Sequence, residues 1–546
     1  MKLYEALADA FVREKVETCF ALMGDANMHW TGAMADRGVE CIYTRHEHAA
    51  VAGAAAYARS SGRVGCATVT CGPGLTQIMT ILPIAVRARL PLVVFAGEAP
   101  LNKAWYNQGI DQKPFVDACG ADYCALHDPA TMVEEVHAAF AKAKQDRMPV
   151  VIGVPFDVQQ QAYAAGSAAK VSDERVHPKA AMQPDAQLIS QAAQWISSAQ
   201  RPVVLAGLGV VAAEAKDACV ALAQKSGALL ATTLPAKGLF RDEDYFLGVA
   251  GGFATEKSKQ IFEQADLVIA IGSRLASHAF DGGKLTPNAR VIHVDIDPQE
   301  IVQGRKAADL LIASDAGLGA EDLTAAVSAQ EGWRSAAMRK VTEEALVLPD
   351  DDQTPDGLLH PMAVVKKLSE VVGVDAHMIN TSGHCAYYAA QMNRHPQDHF
   401  TVIREFGAIG NGTSFALGVA AAHRDRPVVL IDGDGSALMH IQELETMARH
   451  QMKVLTIVMN DGAYGSEVHK LRADGVSYAG SVFGRPDIAT VAKGFGLQGH
   501  TVTHLDDLAD LYAQFLASDT GALWDVHISD QVASPQILKA HKAAHA

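Results

Sequence analysis

The chain has 546 residues, 49% of them hydrophobic, enough for roughly three domains of ~150–200 residues that each bury a core. Its 46 basic and 62 acidic residues leave a formal charge of −16, which keeps a large protein soluble and argues against general affinity for nucleic acid or an anionic membrane. Ordinary glycine and proline frequencies exclude a low-complexity disordered chain, and no apolar run reaches the ~20 residues that span a bilayer.

The first fifteen residues read as an amphipathic helix, with acids where a signal peptide would be basic and then apolar, so a cytoplasmic location is expected. Residues 42–59, IYTRHEHAAVAGAAAYAR, read as a short strand running into an alanine-rich helix. Within it Glu47 stands three residues after Thr44, the spacing of a capping box. Buried β-type runs follow at 65–70, 91–95, 150–154, 202–206, 267–271, 291–294, 428–431 and 454–459, alternating with helical patterns. That alternation predicts an α/β fold of doubly wound parallel sheets covered on both faces. The rhythm breaks at 159–183, rich in Ala, Gln and Ser, and at 330–357, which ends in a charged, proline-punctuated stretch. Three consecutive domains are therefore expected, at 1–165, 185–335 and 356–546. Eight cysteines are scattered; Cys119 and Cys124 are close, but no second pair has zinc-site spacing, so buried thiols are expected.

The sharpest motif lies in the last domain. PVVLIDGDGSAL is a buried strand that meets an acidic, glycine-flanked turn, Gly433-Asp434-Gly435-Ser436. A helix at 441–450 and a second buried strand then end in Asn460-Asp461-Gly462. In a parallel sheet the two strand ends come to the same edge, where ligands bind. Asp434 and Asp461 then offer two oxygens to a hard cation such as Mg2+, Gly435 admits a phosphate close to the backbone, and Ser436 adds a hydroxyl. One Asp-Gly turn is ordinary. Two, each closing a strand at this separation, predict a metal–diphosphate site.

These residues resemble the cofactor motif of thiamine diphosphate enzymes, and over essentially its whole length the chain resembles the acetolactate synthase/pyruvate decarboxylase/benzoylformate decarboxylase superfamily. The resemblance implies thiamine diphosphate, with Mg2+ held by Asp434, Asp461 (where the family usually has Asn) and the carbonyl of Ala463. It also brings Ser382, Gly383, Gly433, Gly435, Ser436 and Tyr464 to the cofactor. Gly407-Ala408-Ile409-Gly410 matches the turn whose apolar side chain, here Ile409, bends the cofactor into a V. Glu47 matches the glutamate that hydrogen-bonds the aminopyrimidine and activates it. Cys71-Gly72-Pro73-Gly74 resembles the family's Gly-Pro-Gly loop, with Gln77 in place of a frequent Asn. In the family this glutamate reaches a cofactor anchored on another subunit, which implies self-association, a dimer at least and a tetramer commonly.

Further positions bear on the reaction. Asp25, in FALMGDANM, and Glu467, in NDGAYGSE, match the acids that 2-oxo acid decarboxylases use in proton transfer. The histidine pair of pyruvate decarboxylases is missing from 101–112, where Gln112 resembles the glutamine of acetolactate synthase-like proteins. His29, His46 and His48 are nearby acid–base candidates. The mixture predicts a lyase or carboligase acting on a 2-oxo acid, aldehyde or diketone. Two alternatives stand beside it: an acetolactate synthase-type carboligase with FAD in the central domain, and a catalytically silent cofactor-binding homologue. The central domain opens at Gly207-Leu208-Gly209 like a dinucleotide fold, a weak signal, and relatives there carry FAD or ADP or nothing. Substrate contacts are expected from loops and from the tail at 529–546.

Overall fold

The computed structural model describes residues 1–163, 170–176 and 180–537. It contains three six-stranded parallel sheets and one two-stranded antiparallel ribbon, Ile301–Val302 with Arg305–Lys306. The first sheet runs Glu40–Tyr43, Thr18–Ala21, Gly65–Val69, Leu92–Glu98, Pro149–Pro155, Asp122–Ala125. The last runs Phe400–Val402, His377–Asn380, Val428–Gly433, Val454–Asn460, Ala522–His527, Gln498–Val502. Numbered by appearance within each sheet, both have the order 2-1-3-4-6-5. The middle sheet, from Pro202–Ala206 to Leu310–Ala313, has the order 3-2-1-4-5-6 of dinucleotide folds. All three are doubly wound, as the alternation predicts.

The strands at Pro202–Ala206 and Leu267–Ile271 are those expected, because each is an apolar run buried throughout. Short strands such as Thr18–Ala21, Phe400–Val402 and Gln498–Val502 escape sequence reading, since three to five residues of mixed polarity carry little periodicity. The first helix is Leu3–Arg13, and the helix expected at 441–450 is shorter, Glu443–Arg449, after a 3-10 turn Leu438–His440.

The alanine-rich helix Glu47–Ser61 is buried on nearly all sides, which its small side chains permit. It lies between its own sheet and the helix Gly412–Ala422 of the last domain, sharing one core with Phe415, Leu417 and Val419. The backbones nearly touch: a Cβ on Gly418 would stand 2.0 Å from the carbonyl oxygen of Gly53. The first and last domains thus form one packed body with their strand ends fixed relative to each other.

Candidate active site

In an order 2-1-3-4-6-5 the connections leave the sheet in opposite directions between its first and third strands, opening a crevice at their carboxyl ends. In the last domain these strands are His377–Asn380 and Val428–Gly433, paired in parallel, with Val454–Asn460 next. Their ends carry Thr381-Ser382-Gly383, Gly433-Asp434-Gly435 and Asp461. Asp434 accepts the N–H of Gly435 on Oδ1 at 2.9 Å and that of Gly462 on Oδ2 at 2.8 Å. Asp461 Oδ1 accepts from the N–H of Ala463 at 3.2 Å, and its Oδ2 lies 3.8 Å from His384 Nδ1. Burial raises both carboxyls, and the charge of Asp461 raises Asp434 further. Two buried, mutually repelling carboxylates fit a divalent cation, which relieves both penalties at once.

The surroundings fit a diphosphate. The hydroxyl of Ser382 is buried without a hydrogen-bond partner among the described residues. A Cβ on Gly435 would stand 2.6 Å from the Tyr464 ring, so only glycine leaves the turn open there. Asp432, absent from the residues the motif suggests, organises the cradle: it accepts from Thr381 Oγ1 at 2.8 Å, Ser436 Oγ at 3.0 Å and Gly433 N–H at 3.0 Å. Burial pushes its carboxyl up to about 7 against the pull of these donors. The signal was present, an acid closing an apolar strand two residues before Asp434, but nothing local distinguishes a brace from a ligand.

Gly407 and Gly410 adopt positive φ, 77° and 89°, and turn the chain so that Ile409 faces the Ser382-Gly383 loop. Its Cγ2 lies 3.9 Å from where a Cβ of Gly383 would be.

The first domain repeats the arrangement. Between Thr18–Ala21 and Gly65–Val69 the strand ends carry the loop of Asp25 and the Cys71–Gly74 loop. Glu47 is the first residue of its helix; the N-cap is His46, whose Nδ1 accepts the N–H of His48 at 3.0 Å. Thr44 instead donates to the carbonyls of Ala21 and His46, which sets aside the capping box. Glu47 lies beside the glycine loop, its Oε1 3.7 Å from where a Cβ of Gly74 would stand. Asp25 is exposed at the same edge, near enough to Cys71 for its charge to add to the burial that raises that thiol to about 11.

The remaining candidates spread out. Gln112 is 3% exposed and committed to protein partners: Oε1 accepts from Gly72 N–H at 3.0 Å, while Nε2 donates to Gly97 O at 3.1 Å and Tyr123 Oη at 3.2 Å. That geometry braces the Gly72 loop rather than presenting an amide to substrate. His29 packs against Tyr4 of the first helix, ring centroids 5.5 Å apart. Glu467 is exposed, 3.6 Å from Lys470 on its own helix, and close enough to His384 to act on its charge. Part of the tail reaches the site, since Ser534 N–H donates to His384 Nε2 at 2.9 Å; residues 538–546 lie outside those described.

In the central domain the glycines meet each other. A Cβ on Gly207 would stand 2.1 Å from Gly272 O, and Gly209 N–H donates to that oxygen at 2.9 Å. Close loop packing accounts for the Gly-x-Gly. Among the described residues no helix is long and apolar enough to cross a membrane.

Sequence comparison agrees with this architecture. Residues 1–118 match the N-terminal TPP binding domain of thiamine pyrophosphate enzymes, 189–323 their central domain and 381–526 their C-terminal TPP binding domain. Among similar proteins is the acetolactate synthase large subunit of Parasynechococcus marenigrum (strain WH8102), 31% identical over 96% of this chain and 87% of the relative. The probable acetolactate synthase large subunit of Methanocaldococcus jannaschii is 29% identical over 98% and 93%. Acetolactate synthase isozyme 2 large subunit of Escherichia coli (strain K12) is 29% identical over 94% and 93%. The chain belongs to the thiamine diphosphate-dependent acetolactate synthase/decarboxylase superfamily. It is an enzyme of the carboligase/decarboxylase type.

Proposed function

We propose that the protein breaks the bond beside the carbonyl of a 2-oxo acid and joins the resulting fragment to a proton or to a second carbonyl compound, using thiamine diphosphate and Mg2+. The observation that carries the reading is the pairing of a buried dicarboxylate, Asp434 and Asp461, with the unpartnered Ser382 hydroxyl at one switch point. In this reading Asp434, Asp461 and the carbonyl of Ala463 hold Mg2+. Ser382, Gly383, Gly433, Gly435, Ser436 and Tyr464 receive the diphosphate. When bound, thiamine diphosphate supplies a nucleophilic carbon and an electron sink for the carbonyl carbon whose bond breaks.

The protein's own residues orient and protonate. Ile409, on the turn that Gly407 shapes, would hold the bend of the bound cofactor. Glu47, beside the Gly72, Pro73 and Gly74 loop, would share a proton with a ring nitrogen of the bound aminopyrimidine. Asp25 and Glu467 exchange protons with substrate, His29 is a further acid–base group, and Gln112 holds the glycine loop. Glu47 acts on the cofactor of a second copy, so the working unit is a dimer or tetramer. Exposed Met23 and Met28 near Asp25, and Phe406, Met439 and Phe483 around the C-terminal site, support such self-association. The names of the relatives support decarboxylation coupled to carboligation. The mutual packing of the central glycines supports a structural middle domain.

The test is turnover of pyruvate, benzoylformate, longer 2-oxo acids and acyloins by protein loaded with both cofactors, with and without an acceptor aldehyde. From the 2-oxo acids, carbon dioxide with a hydroxyketone or aldehyde is expected, and from the acyloins, their carbonyl fragments without carbon dioxide. No turnover of any of them would refute the substrate class.

A further inference from the structure

Four hydrogen bonds grip the turn that carries Ile409, and one comes from the residue next to Glu47. Asn411 Nδ2 donates to Ala408 O at 3.2 Å, which orients that amide with Oδ1 toward His48. His48 Nε2, 2.6 Å away, is therefore the donor. His440 Nδ1 lies 2.6 Å from Gly410 O, and because a carbonyl only accepts, His440 carries its proton on Nδ1. Gly410 N–H donates to Ser436 Oγ at 2.8 Å. The rings of His48 and His440 stack with centroids 4.8 Å apart and planes 15° apart, and His46 meets His440 edge-on at 5.3 Å. His46 in turn caps the Glu47 helix through its Nδ1.

The start of that helix and the turn at 407–411 are thus one hydrogen-bonded unit, though 363 residues separate His48 from Asn411. Each histidine has a specific proton position to supply, which mere space-filling does not require. Burial favours the neutral form of His48 and of His440, and repulsion from the stacked His440 ring adds to it for His48.

We infer that His48 and His440 are positioning residues that tie the start of the Glu47 helix to the Ile409 turn of the same chain, so that each is held in place for the cofactor site it serves. The inference rests on the function proposed above for Glu47 and Ile409. Its energetic lever is orientation: displacement of a reacting group by about 1 Å costs on the order of 100-fold in rate.

The test compares His48→Leu, His48→Gln and His440→Leu with wild type, each loaded with thiamine diphosphate and Mg2+. The readouts are hydrogen–deuterium exchange at the reactive carbon of the bound cofactor, cofactor affinity, and exchange protection of the Gly410 amide in cofactor-free protein. His48→Leu and His440→Leu are expected to slow cofactor exchange by about tenfold or more, with affinity changed much less and Gly410 protection reduced. Glutamine keeps an N–H donor toward Asn411, so His48→Gln is expected within about threefold of wild type. Wild-type exchange in both leucine variants, or equal loss in His48→Leu and His48→Gln, would overturn the positioning role while leaving the proposed function intact. Wild-type protein that binds no thiamine diphosphate would overturn both. Should His48→Leu fail to fold, His440→Leu makes the same test from the other ring.

Discussion

Asp434 accepts the backbone N–H of Gly462 at 2.8 Å, so the carboxylate closing one strand holds the loop that leaves its neighbour. Asp461 is placed by this bond as much as by its own strand. Asp434→Ala removes both the proposed ligand and the tether, and Mg2+-dependent affinity for thiamine diphosphate is expected to fall by roughly 10–100-fold, the worth of one or two charge-assisted contacts. Calorimetric titration with and without Mg2+ checks it; unchanged affinity sinks the assignment of the metal site.

Glu47 begins its helix with its carboxylate beside the Gly72–Gly74 loop, free of any capping duty. Glu47→Gln should leave cofactor binding near normal and lower turnover by about 10²–10⁴, the range of one acid–base group. Near-normal turnover would remove Glu47 from the mechanism.

Gln112 shows how a buried amide separates bracing from chemistry. Gln112→Leu leaves the N–H of Gly72 and the carbonyl of Gly97 without their partner, and a loss of about 1–3 kcal/mol is expected. Thermal melting reads this. A variant that melts like wild type but turns over slowly would mean that Gln112 touches substrate instead.

The contact of Gly53 and Gly418 leaves no room for a side chain. Gly418→Ala should force the two helices apart and lower stability by about 1–3 kcal/mol, seen as a lower Tm. An unchanged Tm would show that the two domains are not locked at this crossing.

Stability should fall in acid. Burial holds His48, His395 and His450 at about 4 and His377 at about 2, with neighbouring positive groups adding to it. The unfolded chain takes up protons near the ordinary histidine value of ~6.5, before the folded chain does, so stability is lost as pH falls from about 6.5 toward about 4. Asp432 and Glu443, both raised to about 7 by burial, act oppositely, since the folded chain binds their protons first. Four histidines against two carboxyls decide the sign. With Mg2+ and cofactor added, which the proposed assignment places against Asp434 and Asp461, Tm should rise from pH 4.5 to 6.5. A falling Tm across that window would contradict the buried neutral histidines.

Much of this was legible in the chain because it is local. A strand buried on both faces writes its apolar run in consecutive residues, so 202–206 and 267–271 were readable to the residue. The step from strand to acidic turn brought Asp434 and Asp461 to one sheet edge before any coordinates, since adjacent parallel strands must end together. The doubly wound class follows from the same periodicity.

Tertiary structure decided what depends on partners far along the chain. Thr44 and Glu47 have capping-box spacing, yet His46 is the cap, because Thr44 turns to the carbonyls of Ala21 and its own loop. Gln112 reads in sequence as a site residue, and only the fold shows the three partners, from 11 to 40 residues away, that its amide holds. Asp432 is legible as an acid closing an apolar strand but not as a brace, and the His48–His440 stack had no local mark at all. Periodicity records which face of an element is buried; it does not record which distant groups share that burial, and the protonation and duty of a polar side chain are set by those groups.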